Sequence, residues 1–173
     1  MSQGKLTPKF LTVENARVIV PLVLNTTLRL SPVFKRKDCH IVILVPEMKD
    51  DRATDYRGWP DYPITPAVLH EHSEGDPEKW EYKYKDIARC KALQLWDGRN
   101  DGGTDIQPHL LFAGDTPFWG GVKRHGIVVA MSGVQPHFDR MVSGMIADML
   151  VGYAYHDWME SSDKKDDELC FLT

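Results

Sequence analysis

The 173-residue sequence predicts a single α/β domain in which buried, mutually antiparallel strands are interspersed with amphipathic helices. Three observations predict it. The run Gly126-Ile127-Val128-Val129-Ala130-Met131 is β-branched and almost wholly apolar, as a strand covered on both faces is. Apolar residues recur at spacings of three and four in three separate stretches, each making one helix face. The Gly120-Gly121 pair allows positive φ and close backbone approach, which suits a tight hairpin between antiparallel neighbours.

Residues 1–10 read as a loose arm and residues 11–160 as the domain. Thr12 can cap a helix beginning at Val13, with Glu14 near its positive end. Ala16, Val20, Val23, Leu24 and Leu28 supply its apolar stripe. Pro21 removes one internal hydrogen bond, so a kink or two shorter pieces are expected there, and Pro32 closes the element. A strand follows over 39–45. Residues 46–78 are rich in proline and charge yet carry Tyr56, Trp59 and Tyr62. They read as an ordered excursion over the surface without regular structure, serving function or oligomer contact.

Glu78–Trp96 reads as a helix with Trp80, Tyr84, Ile87, Ala88, Lys91 and Leu95 near one face, ended by Asp97-Gly98. A Gly/Asp/Asn loop over 99–108 leads to His109-Leu110-Leu111-Phe112-Ala113, a candidate short strand. After the buried strand, Ser132-Gly133 breaks the chain and Pro136 can occupy the first turn of a long helix. Phe138, Met141, Val142, Met145, Ile146, Met149 and Tyr153 form its apolar face. Residues 161–173 read as a charged, disordered tail.

Composition narrows the function. An apolar fraction of 42% with 27% charged residues is ordinary for a globular domain. A net charge of −4 argues against a nucleic-acid partner, which needs a basic face. Lys35-Arg36-Lys37 is the one compact basic run and reads as a solvated turn. Met1–Lys9 has no apolar core and no small-residue cleavage site, so no signal peptide is expected, and no stretch approaches the ~20 apolar residues of a membrane span. Three cysteines without a CxxC point to a reducing, cytoplasmic setting. The ending Cys170-Phe171-Leu172-Thr173 has the spacing of a prenylation box with an atypical last residue, beside the alternative of a frayed end.

The residues that could carry chemistry are mostly histidines. His70-Glu71-His72 has the HxH spacing of a metal pair but no third ligand at standard spacing, so a surface loop is the plainer reading and no metal site is assigned. His125 precedes the buried strand and His109 the candidate strand before it. If those strands are neighbours, both histidines approach one pocket mouth beside Phe118 and Trp119. Ser132, Gly133 and the helix start at His137-Phe138-Asp139 then form a polar corner that can present backbone N–H groups to an anion. In the alternative, Asp139 merely complements the helix dipole and the aromatics are core. There is no GxSxG elbow, GxGxxG, GxxxxGK or CxxCH, so a serine-hydrolase elbow, nucleotide-phosphate loops and covalent haem are not indicated.

The order GG-x4-GIVVAMSG-x5-D followed by a helix resembles the C-terminal half of the haem-degrading/HbpS-like family, also called GlcG-like. Leu11-Thr12-Val13-Glu14-Asn15-Ala16 resembles that family's opening helix. Tyr84–Ala92 with Gly98-Arg99 resembles its central "A-x-x-K-A…GR" helix, so the likeness spans about residues 11–155. In place of the Asp and Gly-centred hairpin that family members carry after the first strand, this chain has Pro46–Asp51 and a long segment up to residue 80. The resemblance implies an antiparallel, profilin-like central sheet flanked by helices, and higher homo-oligomers, for which the aromatics of 56–62 are the candidate interface. It also implies a small-ligand-binding protein for haem or another tetrapyrrole, with His109 or His125 as axial ligand and Phe118, Trp119, Gly120, Gly121, Ser132 and Gly133 around it. Two other functions remain open: an enzyme on a small organic acid or aromatic metabolite, pairing His125 or His109 with Asp139 or Asp115 as acid and base, and a non-catalytic oligomeric scaffold.

Overall fold

A computed structural model describes residues 5–34, 36–49, 64–100 and 107–165. Its five strands are β1 (Lys5–Leu6), β2 (Cys39–Lys49), β3 (Ile64–Glu74), β4 (Gly121–Arg124) and β5 (Ile127–Ser132). Its helices are α1 (Val13–Leu24), α2 (Tyr84–Trp96), α3 (Pro136–Glu160) and the short α4 (Ser162–Lys165). Every strand pairing is antiparallel. β2 is central, with β3 along one edge and β5, then β4, on the other; β1 joins β2 beyond the point where β5 ends. The expected architecture, an α/β fold with an antiparallel central sheet flanked by helices, is the one observed.

Strand alternation sorts the core into two layers. Ile41, Ile43, Val45, Ile127, Val129 and Met131 face α1 and α3. Val42, Leu44, Val128 and Ala130 face α2, against Ala88, Ala92 and Leu95. β5 is therefore buried on both faces throughout, which is why its sequence lacks alternation. Each large aliphatic side chain so buried contributes about 1.5–3 kcal/mol.

Thr12 caps α1 as expected, its Oγ1 accepting the Asn15 N–H at 3.2 Å. Pro21 lies inside α1 without dividing it. The irregularity falls later, in a π-helical turn over Asn25–Arg29. There the hydroxyls of Thr26 and Thr27 donate to the Leu22 and Val23 carbonyls at 2.6–3.0 Å, satisfying acceptors that the widened turn frees.

Four expectations about where elements lie need correction. First, part of the 46–78 excursion is a strand: β3 pairs with β2 from Cys39 to Met48, with a bulge at Ile43/Leu44. Its polar half disguised it. Glu71 takes two hydrogen bonds from Arg89 at 2.6 and 2.7 Å, and Glu74 takes one from Arg29 at 2.6 Å, so charged residues hold positions where an apolar pattern was sought. Pro46, opposite Pro66, lies past the Leu44 limit of the β5 pairing, so its missing N–H leaves little unpaired there. The proposed interface at 56–62 lies outside the described residues.

Second, 109–113 is not a strand. Pro108–Leu110 is a 3-10 turn, and Phe112 is 71% exposed. Asp115 accepts the Phe112 N–H at 2.8 Å and pairs with Arg99, so a side chain takes a backbone donor that a ladder would need. Third, the hairpin turn is His125-Gly126, with φ of 49° and 81°, and not Gly120-Gly121. Two consecutive left-handed residues make the two-residue turn that matches strand twist. Fourth, α2 starts at Tyr84, after a 3-10 turn at Pro77–Lys79.

α3 begins at Pro136 as expected, but the face it buries is rotated. Val142, Ser143, Gly144, Ile146, Ala147 and Leu150 are buried, whereas Met141, Met145 and Tyr153 are 41, 38 and 37% exposed. Small residues let the helix approach the sheet: a Cβ on Gly144 would lie 3.1 Å from the Arg124 guanidinium. Lys5 and Leu6 of the arm pair with Lys49 and Met48. Residues after 165, with the Cys170–Thr173 ending, lie outside the described residues.

Candidate functional site

The layers converge at the C-terminal end of β5. Lys91 approaches from α2, on one side of the sheet, and Asp139 from the first turn of α3, on the other. Lys91 Nζ donates to Asp139 Oδ2 at 3.0 Å and to the Met131 carbonyl at 2.8 Å. Asp139 Oδ1 accepts the Val134 N–H at 3.2 Å. The two side chains are 2 and 4% exposed, so the ion pair is withdrawn from water almost completely.

Glycine makes this convergence possible. Gly120, at φ 116°, leaves room where a Cβ would sit 2.7 Å from the Asp139 Cβ and 2.8 Å from the Pro136 carbonyl. A Cβ on Gly133, at φ 145°, would sit 2.2 Å from the Asp38 carbonyl. Both glycines thus have a packing role beside the pair.

Burial pulls the Lys91 ammonium below its ordinary range and pushes the Asp139 carboxyl above its own. On each side desolvation outweighs the attraction of the partner. The proton between them is consequently held less one-sidedly than in a surface ion pair.

The pair borders a cavity of about 280 Å³. Ser132, Gly133 and the chain from Val134 to Pro136 form one wall; Ile87 and Tyr84 of α2, with Tyr82, form another. Phe118, 49% exposed, stands at the rim. Arg36, an exposed residue bonded to Glu81 at 2.8 Å, also borders it. Arg36, Val134 and Gln135 also border a neighbouring cavity of about 510 Å³ beside His137 and Phe138.

Of the residues singled out in the sequence, Phe118, Ser132, Gly133 and Asp139 thus surround one cavity, with Gly120 behind Asp139. Gly121 packs against Leu95 and Val129, and Trp119 is half-buried without lining the cavity. His125 lies on the hairpin turn at the other end of β5, roughly 16 Å away at strand rise. It lines a shallow groove with Phe10, Tyr155 and Trp158. His109 is exposed in its 3-10 turn and lines neither space. The expected meeting of His109 and His125 fails because the strand that would align them does not form. Asp115 is occupied by Arg99 rather than by a histidine.

Haem requires an axial ligand beside an apolar slot. The cavity at Ser132 is lined by no histidine; His125 borders a different groove, and His109 is exposed in its 3-10 turn. Neither histidine that the resemblance implies as axial ligand therefore borders the cavity that holds Phe118, Ser132 and Gly133. His70 and His72 share a face of β3 with ring centroids 6.3 Å apart; among the described residues no group of three or more His, Cys, Asp or Glu is gathered as a metal would need. Among the described residues, too, no helix is long and apolar enough to cross a membrane.

Lys91 is the site residue least marked in the sequence. It lay in the apolar stripe of α2, and Asp139 lay at the head of the apolar stripe of α3. One charge in each of two apolar faces is the signal that could have paired them. No family model, curated protein or solved structure matches this chain. Fold and site together define a class: a three-layer α/β domain with a small cavity at a strand end, closed below by a buried ion pair.

Proposed function

We propose that this chain binds a small organic anion with a flat, apolar body in the cavity at the end of β5. The observation that carries the reading is the Lys91–Asp139 pair lining that cavity while almost wholly buried. Burying an ion pair costs several kcal/mol per charge before mutual attraction is counted, and a cavity bordered by groups of shifted protonation is a binding-site candidate. Arg36, paired with Glu81 at 2.8 Å, brings a guanidinium to the cavity lining. The amino end of the 25-residue α3 adds its dipole, with no side-chain cap to compete for its first N–H groups. Tyr82, Tyr84 and Phe118 offer aromatic walls to a planar ligand.

This reading keeps the small-ligand function and the polar corner at Ser132–Asp139, and exchanges the tetrapyrrole for a smaller ligand. Phenyllactate is a suitable probe, because it joins one carboxylate to one aromatic ring. Saturable binding by calorimetry, weakened about tenfold or more by Arg36→Ala, is expected; tenfold corresponds to about 1.4 kcal/mol. Absence of saturable binding, or binding indifferent to Arg36→Ala, overturns the reading. Haemin titrated in parallel tests the competing ligand, and a stoichiometric Soret shift with no phenyllactate binding favours haem instead.

A further inference from the structure

The geometry points to Lys91 as an imine-forming nucleophile toward a 2-oxo acid held in this cavity, with Asp139 as its proton partner; the inference rests on the anion-binding reading above. An ammonium has three donors. Two are directed at Met131 O and Asp139 Oδ2, which leaves one, and Lys91 borders the cavity although its side chain is only 2% exposed. A lysine becomes nucleophilic when a desolvated site favours its neutral amine. Here burial lowers its proton affinity, while a carboxylate 3.0 Å away can take the proton.

The arrangement also orients the ligand. Arg36 and Lys91 border the same cavity. A ligand whose carboxylate meets Arg36 directs its body inward between Tyr84 and Phe118. The carbonyl carbon of a 2-oxo acid, one bond from that carboxylate, then lies within the cavity that Lys91 borders. A hydroxy acid of the same shape would bind but offer no electrophile.

The step balances without an added oxidant or reductant. Lys91 passes one proton to Asp139, and its freed lone pair attacks the carbonyl carbon. The N–C bond forms as the C=O π pair moves to oxygen, and a proton shifts from nitrogen to that oxygen. Asp139 returns its proton to the resulting hydroxyl. The C–O bond breaks, water leaves, and a protonated imine remains beside the Asp139 carboxylate.

Reductive trapping tests this. The full chain is incubated with phenylpyruvate and cyanoborohydride, and modified lysines are located by peptide mass spectrometry. The adduct is expected on Lys91 about tenfold above any surface lysine, suppressed by excess phenyllactate and by Arg36→Ala. An adduct spread over surface lysines, with none at Lys91, overturns the inference. Phenyllactate binding measured on the same protein separates the two failures. Arg36-dependent binding without a Lys91 adduct removes the imine alone, and loss of both removes the ligand reading too. Because the trapping uses the wild-type chain, it does not depend on a Lys91 variant folding.

Discussion

The two ends of β5 are built from similar materials and behave differently. At the Ser132 end, α2, β5 and the head of α3 meet, and the polar groups there, Lys91 and Asp139, are buried and bonded to one another. At the Ile127 end, the His125-Gly126 turn projects beyond the layers, and His125 stands in solvent on a shallow groove. Both ends hold a residue with positive φ followed or preceded by glycine, and both looked like site material in the sequence. What separates them is convergence. Three elements closing on one point exclude water, and excluded water turns an ordinary Lys and Asp into groups with shifted protonation. A hairpin tip has nothing above it to do so.

The sharpest way to break this comparison is to remove one charge from the buried end. Lys91→Met leaves Asp139 buried and unpaired, and about 3–5 kcal/mol of stability should be lost. Urea unfolding measures it. Adding Asp139→Leu to that variant should restore much of the loss, since an apolar pair of similar volume is often tolerated. A loss below about 1 kcal/mol for Lys91→Met would mean that water reaches the pair, and the contrast between the two ends would collapse.

Glycine offers the next test, because each end has one. Gly120→Ala places a Cβ 2.7 Å from Asp139 Cβ at φ 116°, combining a clash with a backbone that alanine resists; roughly 3 kcal/mol or more should be lost. Gly126→Ala, at φ 81° with nothing within 4 Å, faces only the backbone cost of about 1–2 kcal/mol. Thermal melts of the two variants should differ in that order. Equal losses would indicate that Gly120 is not confined as described.

These cases also bound what the sequence could tell. β5 was legible because burial on both faces leaves a uniform apolar run. The helices were legible as helices, but the buried face of α3 was not. Apolarity selects Met141 and Met145, while close approach to the sheet selects Ser143, Gly144 and Ala147. β3 was missed because its outward residues are held by Arg29 and Arg89 from distant positions, and pairing over such separations leaves no local period. At the site, Ser132, Gly133, Phe118 and Asp139 could be proposed from the turn and helix start they flank. Lys91 could not be ranked, because nothing local distinguishes a lysine snorkelling from a lysine sealed in. Histidines drew attention by chemistry alone, and two of them lie where the fold gives that chemistry no enclosure.

His40 carries the comparison into pH. It pairs with Ser132 across β2 and β5 at the enclosed end, 2% exposed, with Ser73 Oγ 2.9 Å from its Nδ1 and Glu71 3.7 Å from its Nε2. Burial holds this imidazole below its ordinary value, against the opposing pull of Glu71 and with Lys85 and Arg89 adding to the depression. The unfolded chain titrates near the usual ~6.5, so below that pH it binds a proton that the folded state resists. Stability should therefore fall as pH drops through about 6.5 toward the depressed folded value, with a slope from this group no steeper than ~1.4 kcal/mol per pH unit. His70, also depressed by burial, acts in the same direction, so the difference between wild type and His40→Gln isolates the His40 share. Urea midpoints from pH 8 to pH 5 measure it, and a variant whose profile parallels wild type would remove His40 from the account.

The smallest effect belongs to the exposed end and is informative because of its sign. His125 holds φ 49°, a conformation that costs a branched or bulky residue most and Asn least. Asn-Gly is the strongest two-residue turn signal of this kind. His125→Asn should therefore leave the fold intact and raise stability by roughly 0.5 kcal/mol, a gain of about 1–2 °C in Tm for a chain of this size. Phenyllactate affinity should not change, since the turn lies a full strand length from Ser132. A loss of stability, or weakened binding, would mean that the His125 imidazole makes a contact that its exposed position does not suggest. A gain with unchanged binding would locate the ligand chemistry at the enclosed end alone, because the same strand would then carry a tolerant tip and an exacting base.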